Sequence, residues 1–224
     1  MIVELIGHAG AGKSTLARDL ESCLRSWGLD VVLVEGRTMM GSGLLRKRLF
    51  QAFGLVRRPA VALEGLAVLQ GTGIRNLRSL GTLGGLICRK TYIERFLDDP
   101  RIVLVDEGVM HAIWSMAVHG HRLQRRRLEQ FIEEVTEVDW VVSLRPSRDT
   151  LSERLLQRSD HRLSSLSADE LTRTLDGLEG VLDLCEAFVD QRGMLIRLDV
   201  LDPEVVESSA MRLMAAWKEQ GGAS

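Results

Sequence analysis

Gly7-His8-Ala9-Gly10-Ala11-Gly12-Lys13-Ser14 is the stretch that decides the fold. It fits the pattern G-x-x-x-x-G-K-[ST], which arises by chance unless a strand precedes it and a helix follows. Both conditions hold. The apolar run Ile2–Ile6 reads as a strand, and Leu16, Leu20, Leu24 and Trp27 recur on one helical face before Gly28 stops the helix. The three glycines permit positive φ and close approach of backbone to phosphate. The loop N–H groups and the helix N-terminus then favour an anion. Gly7, His8, Ala9, Gly10, Ala11, Gly12, Lys13, Ser14 and Thr15 are therefore the candidate phosphate-binding residues. Lys13 is expected at a solvent-facing site, reaching the β- and γ-phosphates, and the Ser14 hydroxyl is expected to ligate Mg²⁺. Thr15 reads as a second first-turn residue, and His8 as a bystander without a demonstrated partner.

Outward from the loop, Val31–Val34, Ile102–Val105 and Val138–Leu144 are short, continuous apolar runs rich in β-branched residues, and Met194–Leu198 is a weaker fifth. Continuous rather than alternating runs mark strands covered by helices on both faces. Helical patterns separate them. Ser167 and Glu170 form a capping-box signature ahead of Leu171, Leu175, Leu178, Leu182, Cys185 and Val189. Asp202-Pro203 opens a last helix with Val206, Ala210, Leu213 and Trp217 inward. The predicted fold class is α/β, three layers with about five parallel strands, right-handed crossovers and a helical lid. A single domain over 1–224 is expected. Within it, the Gly- and Arg-rich stretch at about 38–99 reads as packed helices with solvated basic faces or as an acceptor-binding insertion, and about 145–170 reads as the lid.

Two more clusters carry chemistry. Val105-Asp106-Glu107-Gly108 ends the third strand, and in a parallel sheet ligands sit beyond the carboxyl ends of the strands. Asp106 is the candidate Mg²⁺ ligand together with Ser14, and Glu107 the weaker candidate for a base that takes the acceptor's proton. After the fourth strand, Arg154 and Arg158 fall one turn apart on a helix, where planar guanidinium groups suit phosphoryl oxygens. A solvated helix face paired to Glu153 and Asp149 is the plainer reading of the same arginines. Arg37, just beyond the second strand, is a candidate acceptor-binding residue. His111, Trp114 and His119 either line an acceptor pocket or, as is ordinary for such residues, serve the core and surface.

Composition narrows the partners. The net charge is −2 and aromatics are 4%, so neither a basic field nor a stacking platform favours nucleic acid. Three cysteines (Cys23, Cys88 and Cys185) with no CxxC pair read as reduced thiols of a cytoplasmic protein. No run of about 18 apolar residues predicts a membrane span, and the first apolar run, leading straight into the loop, reads as a strand rather than a signal peptide. A homodimer is compatible with the sequence, which does not set the oligomeric state.

Taken in order, GHAGAGKST at 7–15, VDEG at 105–108, LRPSRDTLSERLLQR at 144–158 and IRLD at 196–199 resemble the thymidylate-kinase-like and nucleoside-kinase-like branch of the P-loop kinases. The resemblance spans most of the chain, and its first motif is the specific one. It implies the P-loop NTPase fold, with Glu153, Arg154 and Arg158 in the family's E-R-x-x-x-R lid and IRLD bordering an adenine pocket. It also implies an ATP-dependent, magnesium-requiring phosphotransferase that moves the γ-phosphate to a small-molecule acceptor, whether nucleoside, nucleotide or other hydroxyl compound. The chain departs from thymidylate kinases at Asp106-Glu107, where they carry Asp-Arg, an arginine that grips the phosphate of a nucleotide acceptor. The runner-up is an ATPase or nucleotide switch acting on a protein partner, because four apolar residues and Asp-Glu also describe mechanical ATPases. A binding protein without turnover fits less well, since Lys13, Ser14 and Asp106 are all intact.

Overall fold

Ile2–Gly7 (β1) lies at the centre of five parallel strands in the computed structural model. The model describes residues 1–36, 49, 52–53, 56–71, 77–117, 125–157 and 167–222. The others are Val31–Val34 (β2), Ile102–Val105 (β3), Trp140–Leu144 (β4) and Leu195–Leu198 (β5), in the order β2-β3-β1-β4-β5. Glu4 faces Val105 on one side of β1, and Gly7 faces Leu144 on the other. Chain order reverses on either side of β1, which opens a crevice beyond the carboxyl ends of β3, β1 and β4. The phosphate loop leaves β1 at that crevice.

Helices cover both faces, as continuous apolar strands require. On one face Lys13–Ser26 (α1) and Pro203–Glu219 (α8) pack Leu16, Leu20, Leu24, Leu213 and Trp217 against Val3, Leu5, Leu104 and Val142. The other face carries Pro59–Gly71 (α2), Leu77–Ile93 (α3), Val109–Ala117 (α4), Arg125–Val135 (α5) and Ala168–Asp190 (α7). There Leu86, Ile113, Phe131 and Val181 bury Ile2, Ile6, Val103 and Val141. Each such fully buried side chain is worth roughly 1.5–3 kcal/mol relative to an exposed one.

Helix ends follow the expected chemistry. Ser167 and Glu170 form a reciprocal capping box on α7, and Asp202 caps α8 with Pro203 in its first turn. Gly28 ends α1 at φ 81°. In the stretch at about 38–99, Arg57 is exposed and Arg58 half-buried, as a solvated basic face requires, but two other cations turn inward. Arg89 and Lys90 on α3 are buried, with Lys90 bonded to Glu137 at 2.5 Å. The triplet at 46–48 lies outside the described residues.

Candidate active site

The phosphate loop owes its shape to backbone freedom at three positions. Gly7, Gly10 and Gly12 have φ of 145°, 83° and 107°. At Gly7 a Cβ would lie 2.5 Å from the Leu144 carbonyl oxygen, so β1 and β4 approach this closely only without a side chain. Gly12 caps α1 with no side-chain hydrogen bond, which leaves the first-turn N–H groups facing the loop. Ser14 and Thr15 are exposed in that first turn. Lys13 departs from its expected place. Its chain is 7% exposed, and Nζ donates to the carbonyl oxygens of Gly7 at 3.0 Å and His8 at 2.9 Å. The ammonium group bridges two carbonyl groups of the loop from inside.

The acid at the end of β3 meets the loop. Ser14 Oγ donates to Asp106 Oδ2 at 2.7 Å, across the β1–β3 boundary. Asp106 is 6% exposed, and its Oδ1 is buried without a hydrogen-bond partner. Burial pushes its carboxyl above the usual aspartate range, opposed by the Ser14 hydrogen bond and the Lys13 charge. A divalent cation would remove that cost, because the orphaned oxygen is an acceptor beside a hydroxyl ligand. Among the described residues, no three His, Cys, Asp or Glu side chains group as a metal site.

Glu107 is engaged by Arg89 and His111. Its carboxylate lies 3.6 Å from Arg89 Nη2 and 4.0 Å from His111 Nε2, and its main-chain oxygen accepts from Arg89 Nε at 2.9 Å. It rests on Gly36 at the end of β2, where a Cβ would collide with it. Glu35, just beyond β2, adds negative charge to Asp106 from the same edge and pairs with Arg18 at 3.1 Å.

From the other side, Arg148–Leu156 (α6) brings Arg154 to the loop, where Nη1 donates to the Ala11 carbonyl oxygen at 2.9 Å. Leu151 and Leu155 of α6 pack with Leu171 and Leu175 of α7 and against Ala9. Those leucines, invisible as site residues in the sequence, seat the helix that carries the arginine. Beside Arg154 a cavity of about 570 Å³ opens between Ala11, Leu144 and Thr150 and the residues Asp199–Leu201 after β5. It lies beyond Leu198, at the end of the strand that carries the IRLD stretch.

His8 is not a bystander. Its Nε2 lies 2.7 Å from Glu179 on α7, and its ring meets Trp114 edge-on at 5.8 Å between centroids. Arg145 binds the same Glu179 and also Asp183 and Glu186, so α7 holds the loop through a charged cluster. Trp114 in turn stacks on His111 at 5.6 Å. Arg37, Arg158 and His119 lie outside the described residues.

A parallel sheet with helices on both faces and this loop at its switch point define a class, the three-layer P-loop NTPase fold. No family model matches the chain, and no curated protein matches it. Among solved structures the fold is similar to a deoxyadenosine kinase from M. mycoides, solved with the products dCMP and a flexible dCDP bound. The TM-score is 0.53 and the identity 14%, over 96% of this chain and 100% of that one. At that identity the likeness speaks for the fold. Among the described residues, no helix is long and apolar enough to cross a membrane.

Proposed function

We propose that this chain transfers the γ-phosphoryl group of Mg·ATP to a hydroxyl group of a small-molecule acceptor. The observation that carries the reading is the Ser14–Asp106 contact, which leaves Asp106 Oδ1 orphaned beside Lys13. Ser14 Oγ and Asp106 would hold Mg²⁺, which when bound neutralises phosphate charge. Lys13 would exchange the carbonyl oxygens of Gly7 and His8 for phosphate oxygens, so its attraction would be realised on binding and strengthen as charge migrates. The base and sugar of the nucleotide would lie in the 570 Å³ cavity, with Arg154 between it and the loop. The acceptor oxygen would form the new P–O bond as the bond to the ADP oxygen breaks. Its proton would pass to a carboxylate on the β2–β3 edge, for which Glu107 is our candidate. Arg37 and Arg158 remain candidates for the acceptor and the migrating group.

The test is transfer of labelled γ-phosphate by the purified chain to a panel of nucleosides, nucleotides, sugars and other alcohols. Saturable Mg·ATP binding with no labelled product across the panel would count against transfer. The Asp106-Glu107 pair keeps one other reading in view, an ATPase or nucleotide switch. Hydrolysis stimulated by a protein partner, with no phosphorylated acceptor, would favour it.

A further inference from the structure

Glu4 is the one charged residue of β1, and it is fully buried. Arg89 on α3 is buried as well. Buried charges are costly, and apolar side chains of similar size in their place are often neutral or stabilising. Stability alone is therefore a poor reason for either residue. Both act on one short piece of main chain, the turn that follows β3. The Asp106 N–H donates to the Val34 carbonyl oxygen at 3.1 Å. The Glu107 carbonyl oxygen accepts from Arg89 Nε at 2.9 Å. The N–H groups of Val109 and His111 donate to the Glu4 carboxylate at 3.1 and 2.9 Å. The main chain from 106 to 111 is thus anchored to β2, α3 and β1 in turn. Gly108 fits this bracing. Its φ is not positive, yet a Cβ there would lie 2.4 Å from the Glu4 carboxyl carbon. Position 108 is small to make room for Glu4, not to turn the backbone. Glu4 and Arg89 also feel each other's charge.

We propose that Glu4 and Arg89 are positioning residues, which hold the turn after β3 by its main chain and so set Asp106 beside Ser14 for the cation. This rests on the reading of Ser14 and Asp106 as the Mg²⁺ ligands, and adds the residues that stand behind them. Asp106 Oδ2 has Ser14 and Oδ1 has no partner, so the aim of the carboxylate depends on where the main chain places it. That place is fixed by the anchors on either side of the turn. Arg89 holds Glu107, the next residue, by its carbonyl group, and its guanidinium also lies 3.6 Å from the Glu107 carboxylate. Glu4 holds the residues that begin α4. Outer-shell partners of this kind typically matter about 10–100-fold in metal affinity without touching the metal.

The experiment measures the affinity of the full chain, with ADP bound, for Mn²⁺, a paramagnetic stand-in for Mg²⁺, by electron paramagnetic resonance. The pH is 8, where Glu4, with its pKa of about 7, is largely ionised. R89M keeps an unbranched side chain and loses its donors. E4Q keeps one oxygen acceptor and turns a donor toward the second N–H. In each variant the Kd for Mn²⁺ should rise about tenfold, with the affinity for metal-free ADP unchanged. R89K, which keeps the charge and a donor, should recover part of the loss. On top of D106N, R89M and E4Q should each add less than about twofold, because a misplaced amide has no metal affinity left to lose. A Kd for Mn²⁺ equal to wild type in folded R89M and E4Q would overturn the proposal. So would a full loss that persists in the D106N background, which is what general loosening of the fold gives. Should R89M not fold, E4Q and its D106N double carry the same comparison. A wild-type chain that binds ADP but no Mn²⁺ would instead overturn the metal reading beneath it.

Discussion

Replacing Glu4 by Gln should flatten the dependence of stability on pH. Glu4 lies in the middle of β1 and is fully buried. Its carboxylate accepts from the main-chain N–H of Val109 at 3.1 Å and of His111 at 2.9 Å, so it caps the N-terminus of α4 from a strand about a hundred residues away. Burial raises its pKa from 4.5 to about 7, against the pull of those N–H groups and of Arg89. The folded chain therefore keeps a proton that the unfolded chain releases, and stability falls as pH rises through this window. Full ionisation costs about 3 kcal/mol, and about 2.5 kcal/mol of that falls between pH 5 and pH 8. His111, also buried neutral, contributes with the opposite sign but equally in both proteins, so the difference isolates Glu4. Urea unfolding of wild type and E4Q at pH 5, 6, 7 and 8 measures it. Wild type should lose about 2.5 kcal/mol more than the variant over that range. Parallel profiles would refute the argument, because they would mean that Glu4 ionises in the fold as freely as in water.

Asp106→Asn keeps the shape and a partner for Ser14 but removes the charge, so the Mg²⁺ needed for half-maximal transfer should rise about tenfold or more. An unchanged Mg²⁺ titration would take Asp106 out of the metal site. Arg154→Ala should lower kcat more than it raises the ATP KM, since the guanidinium is read as acting on migrating charge. A change confined to KM would make it a ground-state ligand. Gly7→Ala places a Cβ 2.5 Å from the Leu144 carbonyl at φ 145° and should cost about 2 kcal/mol or more in unfolding free energy, with wild-type stability excluding the strain.

The sequence carried the loop and the acid at the end of β3 further than the cluster around His8, and the reasons are physical. Strands covered on both faces announce themselves as apolar runs, and all five were legible to within two residues. Val138 and Met194 proved to lie just outside β4 and β5. The loop and Asp106 follow from local pattern plus the rule that ligands gather at strand ends. Glu4 could not be read that way. A single acid in an apolar run looks like a solvent-facing residue, and its burial depends on a helix terminus distant in sequence. His8 likewise gains its meaning from Glu179 and Trp114, which no spacing connects to it. In helix α2 Val61 and Val68 are buried while Leu63 is exposed, so apolar spacing alone does not choose its buried face.

The small leucine cluster of α6 and α7 has a consequence for motion. Leu151, Leu155, Leu171 and Leu175 form an apolar unit separate from the two clusters that line the sheet, and its contact with the loop runs through Ala9. A unit this small has a low free energy of local opening compared with the sheet. Arg154 leaves the Ala11 carbonyl whenever α6 swings out, so the loop loses its outer clamp in the same event. Amide hydrogens of α6 should therefore exchange together with those of residues 9–12, and a nucleotide that stiffens the loop should slow both sets by a common factor. A common slowing factor would make the seating of α6 and the ordering of the loop one cooperative transition.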